Sequence, residues 1–159
     1  MRNAFVSLIL IGLAAPGLAN GTGGITGSAE VIDGDTVEVM GSRLDLYGID
    51  APELDQVCVL NEKPYDCGDI ARAALLDLTA GAVLVCKRVA QQQGTAICTA
   101  DDYDIGAGMV YTGWALADPA RPKRYQETQV GAREAKRGLW RGRFDTPWDW
   151  RDGKRLDHE

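Results

Sequence analysis

The sequence predicts an α+β domain, a small five-stranded β-barrel with about three helices packed on it. Three observations predict it. Apolar and polar residues alternate in short runs within 28–49 and 83–100, the two-residue period of half-buried strands. The spacing changes to three and four at 68–80, 105–112 and 123–137, the period of an amphipathic helix. Strands come first, then a helix, then strands, then helices, an order that segregates the two kinds of element.

Taken in order, Ser28 to Ile32 reads as a strand and Asp33-Gly34-Asp35 as a turn. Thr36 to Met40 follows, with Val37 and Val39 on one face. Gly41-Ser42 turns the chain into Arg43 to Ile49, where Leu44 and Leu46 face inward. Arg43, Asp45 and Tyr47 then share the opposite face. Gly68 to Ala80 is helical, with a stripe of Ala71, Ala74, Leu75 and Leu78 and Gly81 after its end. Val83 to Val89 and Thr95 to Ala100 form a hairpin across Gln91-Gln92-Gln93-Gly94. Ile105 to Thr112 is a short helix closed by Gly113. Lys123 to Arg137 is a longer one, with Tyr125, Ala132 and Ala135 toward the core. Trp140, Phe144, Trp148 and Trp150 pack the last segment onto the body. Five short strands with helices between and after them fit an OB-type barrel.

Residues 1–19 read as a secretory signal peptide. Arg2 supplies the charge, Ala4 to Leu13 an apolar run too short to span a bilayer, and Gly17-Leu18-Ala19 the small residues for cleavage. Residues 20–27 read as a flexible leader, 28–151 as one domain and 152–159 as a polar tail. The expectation is an exported protein, periplasmic or secreted, monomeric and without a membrane span.

Cys58, Cys67, Cys86 and Cys98 are an even set in a small exported domain, which favours disulfides. Four cysteines allow three connectivities, and Cys58–Cys67 with Cys86–Cys98 closes two short local loops. A zinc site is disfavoured: there is no Cys-x-x-Cys, and the one histidine, His158, lies in the polar tail. That position also argues against Ser-His-Asp and Cys-His chemistry, which need a positioned imidazole.

Charge is unevenly divided. Residues 20–120 carry 5 basic and 16 acidic groups, and residues 121–159 carry 11 and 7. Nucleic acid is drawn to clustered Lys and Arg, so DNA or RNA is disfavoured electrostatically near the acidic part of this chain.

The chemistry concentrates in two acidic loops, Asp33-Gly34-Asp35-Thr36 and Gly48-Ile49-Asp50-Ala51-Pro52-Glu53. A hairpin between them can bring Asp35, Asp50 and Glu53 to one end of the sheet. Carboxylates gathered in this way suit a hard divalent cation. The pattern does not fit an EF-hand, which needs further ligands at fixed positions.

These loops resemble the DGDT and GIDAPE motifs of the thermonuclease (staphylococcal nuclease-like) family. Met109-Val110, Gly113-Trp114-Ala115, Gly138-Leu139-Trp140 and Pro147-Trp148-Asp149-Trp150-Arg151 extend the resemblance over nearly the whole mature chain. The resemblance implies calcium-dependent hydrolysis of DNA or RNA, with one Ca2+ held by Asp35 and Asp50. Ala51 matches a position that lends its carbonyl, and Glu53 the glutamate that orients or deprotonates the attacking water. The family also clamps the phosphate with two arginines. Their positions are Asp45 and Gln93 here, which implies a weak or degenerate nuclease. Arg43, Arg88 or C-terminal arginines are candidate substitute cations. The alternative is a non-catalytic module of the cell envelope that binds calcium, nucleic acid or protein.

Overall fold

The computed structural model describes residues 24–121 and 123–155. The expected signal peptide, residues 20–23 of the expected leader, and His158 lie outside the described residues.

The first strands are β1 (Ile25–Gly27) and β2 (Ala29–Val31), separated by Ser28 alone. The strand therefore begins three residues before the expected Ser28, inside the segment read as leader. β3 (Thr36–Val39) and β4 (Ser42–Leu46) form an antiparallel hairpin. Val37, Val39 and Leu44 are wholly buried while Arg43 and Asp45 face solvent, as the alternation requires. The turn falls on Met40-Gly41 rather than on Gly41-Ser42. β5 (Ile49–Asp50) leads into the loop that carries Glu53.

A hairpin of β6 (Val57–Leu60) and β7 (Lys63–Asp66) follows, two strands beyond those expected from the sequence. Its two turn residues, Asn61 and Glu62, both adopt positive φ, the twist that a two-residue hairpin turn needs. Next come α1 (Cys67–Thr79), β8 (Leu84–Arg88), β9 (Thr95–Ala100), β10 (Tyr103–Asp104) and α2 (Ile105–Thr112). Asp104 caps α2 by accepting from the Ala107 N–H at 3.1 Å.

β11 (Leu116–Ala117) pairs with β5. α3 (Gln126–Glu134) is shorter than expected at both ends. Tyr125 and Ala132 are buried, but Ala135 is exposed because the helix has ended there. A 3-10 turn, Gly138–Arg141, and a fourth helix, α4 (Pro147–Arg151), complete the chain. Among the described residues there are thus four α-helices, one more than expected.

The main sheet runs β1-β8-β9-β4-β3-β2, with β10 beside β9. β4 and β9 are parallel and the other pairs antiparallel. Its inner face meets Ala71 and Leu75 of α1 and Ile105, Met109 and Val110 of α2 in one core. The architecture is α+β. The two expected disulfides form: Cys86–Cys98 joins β8 to β9, and Cys58–Cys67 ties β6 to the start of α1. Both fit an oxidising compartment, extracellular or periplasmic. No described helix is long and apolar enough to cross a membrane.

Two glycines seat the acidic loops. A Cβ on Gly34 would lie 2.6 Å from the Ala51 Cβ and 2.9 Å from the Ala71 Cβ. The Asp33-Gly34-Asp35 turn thus presses against both the second acidic loop and α1. A Cβ on Gly68 would lie 1.8 Å from the Glu53 carbonyl oxygen, so α1 starts in direct contact with the Glu53 backbone.

Candidate functional site

Asp33, Asp35, Asp45, Asp50, Glu53 and Arg151 line one cleft of about 300 Å³, with Thr36 and Ala51 in its wall. The residues come from five places in the chain. Asp33 and Asp35 sit on the turn before β3, Asp45 on β4, Asp50 on β5, Glu53 on the following loop and Arg151 at the end of α4.

Each acidic group is positioned by its neighbours. The Asp35 N–H donates to Asp33 Oδ1 at 3.1 Å, closing the turn. Asp35 Oδ2 accepts from the Ala51 N–H at 2.7 Å, which joins the two acidic loops directly. The Thr36 hydroxyl lies 3.2 Å from Asp35 Oδ1 and 3.4 Å from Asp45 Oδ1, and its single proton serves one of them at a time. Asp50 is held by the pairing of β5 with β11, where it faces Leu116. Glu53 is held through buried Gln56. The Glu53 N–H donates to Gln56 Oε1 at 3.2 Å, and Gln56 Nε2 donates to the Asp145 carbonyl at 2.7 Å.

The expected basic residues are placed less centrally. Arg43 pairs with Asp33 at 3.8 Å, not with Asp45, and its side chain is 63% exposed. Arg88 donates to the Ser42 hydroxyl. Gln93 lines a separate hollow in the β8–β9 connection. The tip of that connection still touches β4, since the Asp45 N–H donates to the Gly94 carbonyl at 2.8 Å.

The cation in the cleft is Arg151. Its Nη1 donates to Asp50 Oδ1 at 2.9 Å and Glu53 Oε1 at 2.6 Å, and its Nη2 to Asp50 Oδ2 at 2.6 Å. The hydrogen bonds to Asp50, then to Glu53, raise its pKa further, so it stays charged. Arg151 is one of the C-terminal arginines expected as substitute cations. A sharper signal was present: Thr146-Pro147 is a helix start, with the Thr146 hydroxyl accepting from the Asp149 N–H at 3.3 Å and Pro147 in the first turn.

Asp35 is the perturbed acid of the cleft. Burial drives its pKa from 3.8 up to about 8, the Ala51 N–H pulls it down, and the charges of Asp33 and Asp50 raise it further. Among the described residues it has no ion-pair partner, and no group of three or more His, Cys, Asp or Glu side chains is drawn together as a metal cage. The donors nevertheless fit a hard cation. A half-buried carboxyl set between two others is the group that such a cation would relieve.

This burial has a consequence for stability. The folded chain holds the Asp35 proton more tightly than the unfolded chain does. Its contribution is therefore complete below about pH 3.8 and is lost as pH rises through about 8. In chelator, urea unfolding at pH 5 and pH 8 should show the loss. Asp35→Asn should flatten it and be the more stable protein at pH 8. One pKa unit is worth about 1.4 kcal/mol, so a small part of the shift is measurable. Parallel pH profiles for the two proteins would contradict this account.

No protein-family model matches the chain. It is 36% identical over 126 residues to the succinoglycan biosynthesis protein ExoI of Rhizobium meliloti, a match covering 74% of this chain and 65% of that protein. The chain thus spans about two thirds of that relative's length. It is 32% identical over 140 residues to an uncharacterized endonuclease of Escherichia coli O157:H7, covering 78% of this chain and 82% of the relative. An uncharacterized endonuclease of Escherichia coli matches at 32% over 139 residues with the same coverage. At this identity and coverage the chain belongs to the nuclease-like family of these Escherichia coli endonuclease-named proteins.

Proposed function

We propose that the chain is an exported, weakly active nuclease of the thermonuclease type that hydrolyses phosphodiesters of DNA or RNA. The observation that carries this reading is the convergence of Asp35, Asp50 and Glu53 on one cleft, in a chain whose relatives bear endonuclease names. Asp35 and Asp50 would hold a calcium ion. When bound, it would neutralise phosphate charge and polarise the phosphoryl oxygen. Glu53 lies on the rim with 38% of its side chain exposed, where it can orient a water and take its proton.

The two end strands of the path, β1 and β2, are one residue apart in the chain. A strand that pairs with β8 through its first half and with β3 through its second supports a closed OB-type barrel of five strands.

Weak activity follows from the positions where the family resemblance expects arginines. Asp45 brings a negative charge to the cleft wall, and Gln93 brings no charge. Like charges at close range disfavour an approaching phosphate. Asp45 also favours a second reading, a non-catalytic module of the cell envelope that binds calcium or a partner.

Single-stranded DNA and RNA offered to the purified chain distinguish the two. Slow cleavage in calcium, abolished by chelator, is expected. Calcium binding without any cleavage would establish the second reading and overturn the first.

A further inference from the structure

We propose that Arg151 is a catalytic residue of this cleft, the guanidinium that engages the phosphate, parked on Asp50 and Glu53 while no substrate is bound. This rests on the reading of the cleft as a phosphodiesterase site. Reach is given by the geometry: Arg151 lies within 2.6 Å of the carboxylate that would act on the water. Among the described residues it is the one basic side chain lining the cleft. Its fork, already bidentate on Asp50, matches two phosphate oxygens equally well.

The placement is built rather than incidental. Thr146 caps α4, and Pro147 is buried. The Trp150 indole N–H donates to Asp55 Oδ1 at 3.1 Å, on the loop that carries Glu53. Lys154 holds Asp149 at 2.6 Å. The helix is fixed while the Arg151 side chain remains 48% exposed, so its long stem can turn from the carboxylates to a phosphate without moving the backbone.

In the reaction the water oxygen bonds to phosphorus and Glu53 takes the water proton. The bond from phosphorus to one sugar oxygen breaks, and that oxygen leaves as an alcohol with a proton from solvent. Arg151 gives up no proton. It donates hydrogen bonds to the non-bridging oxygens, where charge builds as the bond forms.

Parking makes Arg151 a competitor for the cation, which a purely structural strut would not be. Removing it frees Asp50 and Glu53 and should tighten calcium binding while slowing cleavage. A strut would lose both together. The test compares full-length wild type, Arg151→Gln, Arg151→Lys and Glu53→Gln by calorimetric calcium titration and by cleavage of single-stranded DNA.

For Arg151→Gln the expected results are calcium affinity raised on the order of tenfold and cleavage lowered by about 10²-fold or more. Arg151→Lys should recover part of the cleavage. Calcium affinity that is unchanged or weaker in Arg151→Gln overturns the proposal. So does undiminished cleavage by that variant when Glu53→Gln is inactive, a result that leaves the phosphodiesterase reading standing. Wild-type cleavage no faster than that of Glu53→Gln would sink the phosphodiesterase reading itself, and the proposal with it.

Discussion

Arginine at both altered positions, Asp45→Arg with Gln93→Arg, is expected to raise phosphodiester cleavage by about 10²-fold or more. That floor is below the about 10³–10⁵ that one arginine can contribute to phosphoryl transfer. The change at 45 should carry most of the gain. Asp45 lines the cleft, so the substitution removes a repelling charge and adds an attracting one in the same place. It also leaves the Thr36 hydroxyl to Asp35 alone. Gln93 lies outside the cleft lining, on a connection whose tip meets β4 beside Asp45. An arginine there has to reach in from the edge. The two gains should not multiply with each other or with Arg151, because groups on one phosphate act as a unit. Values of kcat/KM on single-stranded DNA for both single variants and the double variant give the answer. A folded double variant with no gain would show that the site has departed from the family chemistry in more than its arginines.

Gly68→Ala should be the most damaging small substitution in the site's scaffold, costing about 3 kcal/mol or more and abolishing cleavage. The added methyl would meet the Glu53 carbonyl at 1.8 Å and the Leu54 Cα at 2.9 Å, both backbone atoms that no rotamer change can move aside. The Gly68 N–H also donates to the Gln56 carbonyl at 3.3 Å, within the buried knot that orients Glu53. Cys67, the residue before it, is fastened to Cys58, so α1 cannot slide away freely. Arg72→Ala on the exposed face of the same helix is the control and should change stability by less than about 0.5 kcal/mol. Urea midpoints of the three proteins decide the matter. A Gly68→Ala protein as stable as wild type would mean that the Glu53 loop is softer than its contacts indicate.

Where period and chemistry were local, the sequence was legible. Val37, Val39, Leu44 and Leu46 alternate, and they are buried. β9 and α2 fall on their expected residues, and the two disulfides close the expected short loops. The acidic loops are recognisable because Asp-Gly and Asp-Ala-Pro-Glu sit in an alternating hairpin. What was not legible depends on distance along the chain or on weak turn chemistry. The hairpin of β6 and β7 turns on Asn61-Glu62, without the glycine that usually marks such a turn. α4 is five residues long and filled with aromatics that read as packing. Its Arg151 meets Asp50 across 101 positions, a contact no periodicity encodes. The burial of Asp35 is likewise tertiary. It needs Gly34 pressed on Ala51 and Ala71, and those residues lie in separate elements.

The central claim is that the carboxylate cleft performs chemistry, and single-turnover cleavage tests it most directly. End-labelled single-stranded DNA is mixed with excess wild-type protein in calcium, beside the same excess of Glu53→Gln. The account predicts cleavage by the wild type and a rate about 10²–10⁴-fold lower in the variant, the range that a positioned general base contributes. Indistinguishable traces for the two proteins would contradict it. They would make this chain a member of a nuclease-like family in which Glu53 performs no chemistry.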